Sequence, residues 1–169
     1  MKDIFEAISD RITAEVPAVR WVDFDLGQLA QEKPPVSYPC ALVAFSNGDY
    51  TQIGNDANSG SITIQVALGF RVWERTHSAG TLRETGLQHL DTVDAVRTAL
   101  TGLVGGQFTG LQYAGFAQDQ QADPRIWRLR FRTEHYPEPP TSPFVPITDL
   151  TNVPTTLMVM PDFTTSVNT

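Results

Sequence analysis

The sequence has one cysteine and no long apolar run. Cys40 alone cannot form an internal disulfide. No stretch approaches the ~20 consecutive apolar residues that a membrane-spanning helix requires. The opening residues, MKDIFEAISD, lack the charged-then-apolar order of a secretory signal. These absences predict a protein that is made in the cytoplasm, has no disulfide and does not enter a membrane.

Basic residues are also scarce. The chain has 12 Lys and Arg against 19 Asp and Glu, which gives a formal net charge of -7. A protein that coats nucleic acid or an anionic bilayer needs an excess of Lys and Arg to neutralise phosphates. The charge balance therefore disfavours both functions, and we expect the partners to be other proteins.

Residues typical of catalytic and metal sites are few and scattered. His77, His89 and His135 fall in different predicted elements, and none has a partner at metal-ligand spacing. Cys40 lies in a short apolar run, where a free cysteine usually behaves as a small hydrophobic residue. Asp23 and Asp25 could act as an acid and a base, but exposed acids on a strand are the commoner explanation. The sequence predicts no enzyme, no cofactor and no metal.

Two stretches with strict period-2 alternation dominate the rest of the chain. Ser61–Trp73 and Ile126–His135 each place apolar side chains on one face and polar side chains on the other. Strands with this pattern are expected to pair in one sheet that buries a single face. The residues predicted to face the interior are Ile64, Val66, Leu68, Leu129 and Phe131.

Amphipathic helices are predicted at Met1–Val16 and in a second stretch that ends near Val104, with apolar residues spaced three and four apart. Two capping boxes compete for the start of the second helix, Thr81 with Glu84 and Thr85 with Gln88, and Gly86 favours the later one. The other predicted elements are strands at Arg20–Leu26 and Pro39–Phe45, a turn at Ser46–Asp49, an exposed connection at Gly27–Tyr38 and a bulged or edge strand within Gln107–Phe116. The predicted class is α+β: an antiparallel sheet of about four to five strands with two helices on one face.

The C-terminal stretch has a different composition. Seven of the chain's 12 prolines lie from Pro137 onward, which predicts a domain over residues 1–136 and an extended tail over 137–169. The tail is nevertheless too apolar for a solvated linker. We expect it to dock on its own domain or on a neighbouring subunit, and the sequence favours the neighbour.

A row of arginines is the most informative charged feature. Arg128, Arg130 and Arg132 alternate along one strand, so their side chains share a face. One explanation is a solvated face with acidic partners on adjacent strands. The other is a contact with a second subunit, for which Ala67 and Gly69 would leave room. Nucleic acid is a third and weaker explanation. The candidate interface residues are Arg71, Arg128, Arg130, Arg132, Asp49, Asp56 and Glu74.

The element order, together with RWVDFDLGQL, PPVSYPCALVAF and HLDTVDAVRTAL, resembles the tail-terminator (tail-completion) proteins of long-tailed bacteriophages and prophages. The resemblance covers residues 1–136. It implies a structural virion protein that forms a ring, typically hexameric, which closes the tail tube on the head side.

The partners that the resemblance implies are other copies of the chain, the tail-tube protein and a head or neck connector protein. DNA can pass through such a ring without being recognised by sequence. The protein would assemble in the host cytoplasm and remain in the virion. Two alternatives stay open: a head-completion or neck connector protein, and a small cytoplasmic enzyme of unknown chemistry.

Overall fold

The structure, a computed structural model, describes residues 1–53, 58–71, 77, 79–119 and 124–137. Its helices are α1 (Lys2–Glu15) and α2 (Arg83–Leu100), and a short 3-10 helix spans Gln28–Ala30. Its strands are β1 (Trp21–Phe24), β2 (Cys40–Gln52), β3 (Asn58–Phe70), β4 (Gln112–Gln118) and β5 (Arg125–His135). In this part of the chain, neither helix is both long and apolar enough to span a bilayer.

The five strands form one sheet in the order β1-β2-β3-β5-β4. The α+β class, the strand number and the placement of both helices on one face are confirmed. The sheet is mixed, however, because β1 runs parallel to β2 while the other pairs are antiparallel. α1 and the loop after it return the chain to the edge of the sheet, where β1 pairs alongside β2.

The main core lies between the sheet and the two helices. In α1, Ile4, Ile8 and Ile12 recur every fourth residue and are fully buried, so they form one stripe along the helix. Val96 and Leu100 supply the matching stripe of α2. All five strand residues predicted to face the interior belong to this cluster and are at most 1% exposed. The prediction of which face of β3 and of β5 is buried is therefore confirmed.

The predicted turn at Ser46–Asp49 is wrong. β2 is 13 residues long and runs without interruption through Ser46–Asp49. The strand pairs with β3 from Cys40 to Gln52. Asn47 instead forms a bulge: its φ is 52°, and the register shifts between Ser46 and Gly48. Asn tolerates positive φ better than most residues, so a local sequence typical of a turn can serve a bulge inside a long hairpin.

The ends of α2 also differ from the prediction. The helix begins at Arg83, before the expected capping box at Thr85, and it ends at Leu100 rather than near Val104. Gly102 takes a φ of 81°, and its amide donates to the carbonyl of Leu111 at 2.8 Å. The chain therefore leaves the helix early in order to pair with the segment before β4. β4 itself is an edge strand whose register shifts between Tyr113 and Gly115. A bulged edge strand was predicted within Gln107–Phe116, but the strand begins at Gln112 and continues to Gln118.

A second, smaller apolar cluster lies on the opposite face of the sheet. The 27–39 segment packs there through Leu29, Val36 and Tyr38, so the predicted exposed connection at Gly27–Tyr38 is partly buried. Leu29 is 6% exposed, and it covers the sheet at Ala67 and Cys40. The other members of the cluster are Leu42 and Ile126, with Val36 and Tyr38 packed against it.

Candidate subunit interface

The arginine row lies on the sheet face opposite the two helices. In the register of β3 and β5, Arg128 lies opposite Ala67, Arg130 opposite Gln65 and Arg132 opposite Thr63. Directly opposed residues project from the same face of a sheet. The row therefore begins beside the smaller apolar cluster at Ala67 and continues away from it.

The half of this face around Ala67 is covered by the chain itself. A Cβ atom added to Gly69 would lie 2.8 Å from Sγ of Cys40 and 3.1 Å from a methyl group of Leu29. The side chain of Gln28 holds this covering segment, because its Oε1 accepts from the amide of Leu26 at 2.7 Å and its Nε2 donates to the carbonyl of Phe24 at 2.8 Å. The expectation that a second subunit uses the room beside Ala67 and Gly69 is therefore wrong.

Arg128 is engaged inside its own chain. Its Nε donates to Asp119 Oδ2 at 3.0 Å, and its Nη2 donates to the same oxygen at 2.9 Å. A second carboxylate, that of Asp25, lies 3.6 Å from Nη1. The three side chains are 19–30% exposed, so this network is only partly screened by solvent. It connects the loop after β1 to the β4–β5 hairpin.

Arg130 and Arg132 are different, because both are exposed. Neither forms an ion pair with another residue in the part of the chain that the structure describes. Arg130 lies opposite Gly115 on β4, and a Cβ atom at that glycine would be 3.7 Å from Nη2 of Arg130. Beyond the covering segment, the open half of the face thus presents two free guanidinium groups.

Acidic side chains lie on the same face at its far end. Glu134 follows Arg132 by two residues, and its opposite residue on β3 is Ser61. Ser61 in turn lies opposite Asp49 on β2. Adjacent strands are about 4.8 Å apart, so Asp49 and Glu134 lie in one row about 10 Å apart, with Ser61 between them. The open half therefore changes from positive to negative along the strands.

The remaining candidates lie elsewhere. Arg71 is exposed just after β3 and lines a cleft of about 440 Å³ with Val36, Tyr38 and Pro124. The covered half of the face separates this cleft from Arg130. Asp56 and Glu74 lie outside the residues that the structure describes.

Cys40, Asp23 and Asp25, which the sequence offered as catalytic groups, are buried or already bonded. Burial raises the pKa of the Cys40 thiol to about 11, which leaves little reactive thiolate at neutral pH. Asp23 accepts a hydrogen bond from the amide of Phe24, and Asp25 faces Arg128. Within the described ranges, no group of three His, Cys, Asp or Glu side chains is placed to hold a metal ion.

No family model and no curated protein matches this sequence. Among solved structures, the chain is similar to one from the "Virion of native gene transfer agent (GTA) particle". The two are 16% identical with a TM-score of 0.51, and the match covers 80% of this chain and 96% of the other. The likeness is one of fold. It spans nearly the whole of a chain found in a virion.

Sequence reasoning missed the acidic partners of Arg128. Asp119 could have been found, because it lies just past β4 and its amide donates to the carbonyl of Ile126, two residues before Arg128. Pairing the two strands as a hairpin places these residues side by side. Asp25 gave no such signal, since it follows β1, which is far from β5 in the sequence and not adjacent to it in the sheet.

Proposed function

We propose that this chain is a structural virion protein of a phage-like particle that closes the tail tube as a ring and joins it to the head side. The observation that carries the proposal is the shared fold with a virion chain, which is matched over 96% of its length. The resemblance of residues 1–136 to tail-terminator proteins supports the finer assignment to the end of the tail. No catalytic step and no cofactor is needed for this function.

The open half of the arginine face supplies chemistry suited to ring assembly. A ring of identical subunits needs two different, complementary patches on each subunit. Arg130 and Arg132 form a basic patch, and Asp49 with Glu134 forms an acidic one on the same side of the sheet. In the proposed ring, the basic patch of one subunit meets the acidic patch of the next. The tail-tube protein and a connector protein would bind the two rims of the ring.

The proposal is tested by deleting the gene for this protein from the genome that produces the particle. A terminator stops tube growth, so its loss should give tails of irregular, increased length that are not joined to heads. Loss of a neck connector should instead give tails of normal length that are unattached. Electron microscopy of the particles distinguishes these outcomes. Normal tails attached to filled heads would contradict both structural roles.

A direct measurement uses the purified components. The chain is added to tail-tube protein while the tubes polymerise, and tube length is measured on micrographs. We expect shorter tubes with a ring at one end. Tubes of unchanged length with no added density would show that the chain does not bind the tube.

A further inference from the structure

An apolar groove lies on the helix side of the sheet, between α2 and the strands β4 and β5. Its volume is about 400 Å³, and its walls include Leu90, Val93, Tyr113, Phe116 and Trp127. Leu90 is 43% exposed and Phe116 is 57% exposed. Large apolar side chains grouped in this way on a soluble domain are typical of a binding surface.

The charges at the rim of the groove are already satisfied. Nε of Arg97 donates to Oδ1 of Asp94 at 3.2 Å, and the guanidinium carbon lies 5.8 Å from the centre of the Tyr113 ring. The groove therefore presents apolar walls and no unpaired charge among its described residues. A ligand that fits it is an apolar segment with few charges of its own.

The chain contains such a segment. After Pro137 the sequence continues for 32 residues, and Leu157–Phe163, LMVMPDF, has five large apolar side chains and one charge. We propose that Leu157–Phe163 docks in the α2–β4 groove of its own chain. This proposal is independent of the function proposed above.

The length of the connection supports docking within the same chain. Eight residues of β5 separate Trp127 in the groove from His135 at the end of the strand, which is about 26 Å at ~3.3 Å per residue. The 19 residues between Pro137 and Leu157 would have a root-mean-square span of about 25 Å as a flexible coil, and more where proline extends them. A linker whose mean span matches the distance gives a high effective concentration. The linker is therefore long enough for the tail to reach the groove of its own chain, and this differs from the neighbouring subunit that the sequence alone favours.

Cysteine protection tests the proposal in the full-length chain. Phe116→Cys places a thiol on the wall of the groove at an exposed position, so the fold should tolerate it. Cys40 is fully buried and should not react with a maleimide. Leu26→Cys is the matched control, because Leu26 is an apolar residue that is 79% exposed on the loop after β1, at the opposite edge of the sheet.

The second variant changes the tail and leaves the groove intact: Leu157, Val159 and Phe163 are replaced by serine. If the tail occupies the groove in about nine-tenths of molecules, Phe116→Cys should react about tenfold more slowly with the native tail than with the serine tail. The Leu26→Cys control should react at the same rate with either tail. Protection of Phe116→Cys should not change when the protein is diluted.

Two results would overturn the proposal. Equal reaction rates of Phe116→Cys with the native and serine tails would show that the tail does not cover the groove. Protection that disappears on dilution would show that the covering tail belongs to another copy of the chain. The monomer fraction is measured by ultracentrifugation at each concentration, so the two cases are separated.

Discussion

Leu68 shows how strongly the fold depends on single positions in the long strand. It is fully buried, and its direct neighbours across the sheet are Ala41 on β2 and Trp127 on β5. Strands on both sides leave little freedom to close a cavity. A shortened side chain here must therefore leave a void under the helices.

We expect Leu68→Ala to lower the free energy of unfolding by about 2–5 kcal/mol, because both transfer energy and packing are lost. Urea denaturation followed by circular dichroism measures this difference. Leu26→Ala is the control, since Leu26 is 79% exposed and should change stability by at most about 0.5 kcal/mol. An equally small loss for Leu68→Ala would contradict the assigned buried face.

His135 is the buried titratable residue at the end of β5. It is 3% exposed, its Nδ1 lies 2.9 Å from the Tyr50 hydroxyl, and its Nε2 lies 3.4 Å from the amino group of Met1. Burial and, secondarily, the terminal ammonium lower the pKa of His135 below its usual 6.5, while the Asp3 carboxylate acts in the opposite direction. The folded protein therefore resists protonation at this site.

This lowered pKa predicts how stability changes with pH. As the pH falls through 6.5, the unfolded chain takes up a proton at His135 before the folded chain does, so folding becomes less favourable until the lower, folded pKa is passed. We expect His135→Gln to show a shallower loss of stability over that window. Urea midpoints of both proteins at several pH values test this. His89, whose pKa is also lowered, titrates in both proteins and cancels in the comparison.

At the scale of elements, the Arg128 network connects two parts of the sheet that the backbone does not pair. Asp25 follows β1 at one edge, whereas Asp119 follows β4 at the other. Arg128 contacts both carboxylates from β5. Its removal leaves two partly buried acids without their shared cation.

We expect Arg128→Met to cost about 1.5–3 kcal/mol of stability, the range for hydrogen bonds to charged groups. Arg130→Met is the matched control on the same strand, and it should cost no more than about 0.5 kcal/mol because the residue is exposed and unpaired. Chemical denaturation of both variants measures the difference. Equal effects would mean that the Asp119 contact contributes nothing to folding.

The elements that the sequence predicted well are those with long periodic patterns. The sequence alternates over Ser61–Trp73 and Ile126–His135, which overlap β3 and β5 over most of their lengths, so the residues on the buried face of each strand could be assigned. The bulge at Asn47 could not be told from a turn, because its signal is local while the continued pairing of β2 with β3 is not. β1 gave no sign of running parallel to β2, since strand direction depends on the path of the whole chain.

The sequence predicted the candidate interface as a row of arginines on one face, together with acidic residues in nearby loops. Alternation placed Arg128, Arg130 and Arg132 on one face, which the register confirms. It could not show that Arg128 has internal partners or that the 27–39 segment covers Gly69. Both depend on contacts between residues far apart in sequence, which no local pattern records.

At the scale of the whole molecule, the two faces of the sheet differ in the exposed surface that they offer to partner proteins. On the helix side, the main core fills the space between the sheet and the helices, and the α2–β4 groove is one of the openings among the described residues. The opposite side is covered near Leu29 and open around Arg130 and Arg132. A ring contact made by Arg130 and Arg132 therefore has an open surface to use, at the end of the sheet away from the covering segment.

The last prediction concerns that surface. Reversing the charge with Arg130→Glu should weaken assembly, because the new carboxylate would face Asp49 and Glu134 of the next subunit in the proposed ring. The fold should be spared, since an exposed strand position usually tolerates substitution within about 0.5 kcal/mol. Added salt should also weaken assembly of the unaltered chain, because charges on partly exposed ion pairs are screened over about 10 Å at 0.1 M ionic strength.

Analytical ultracentrifugation, with and without tail tubes, measures this assembly. Arg20→Glu is the control: Arg20 is an exposed arginine just before β1, away from the arginine row, and its reversal makes the same change in net charge. We expect Arg20→Glu to assemble like the unaltered chain and Arg130→Glu to remain dissociated at concentrations where the control associates. If Arg130→Glu associates normally, Arg130 and Arg132 form a solvated face, and the ring must be held by other surfaces.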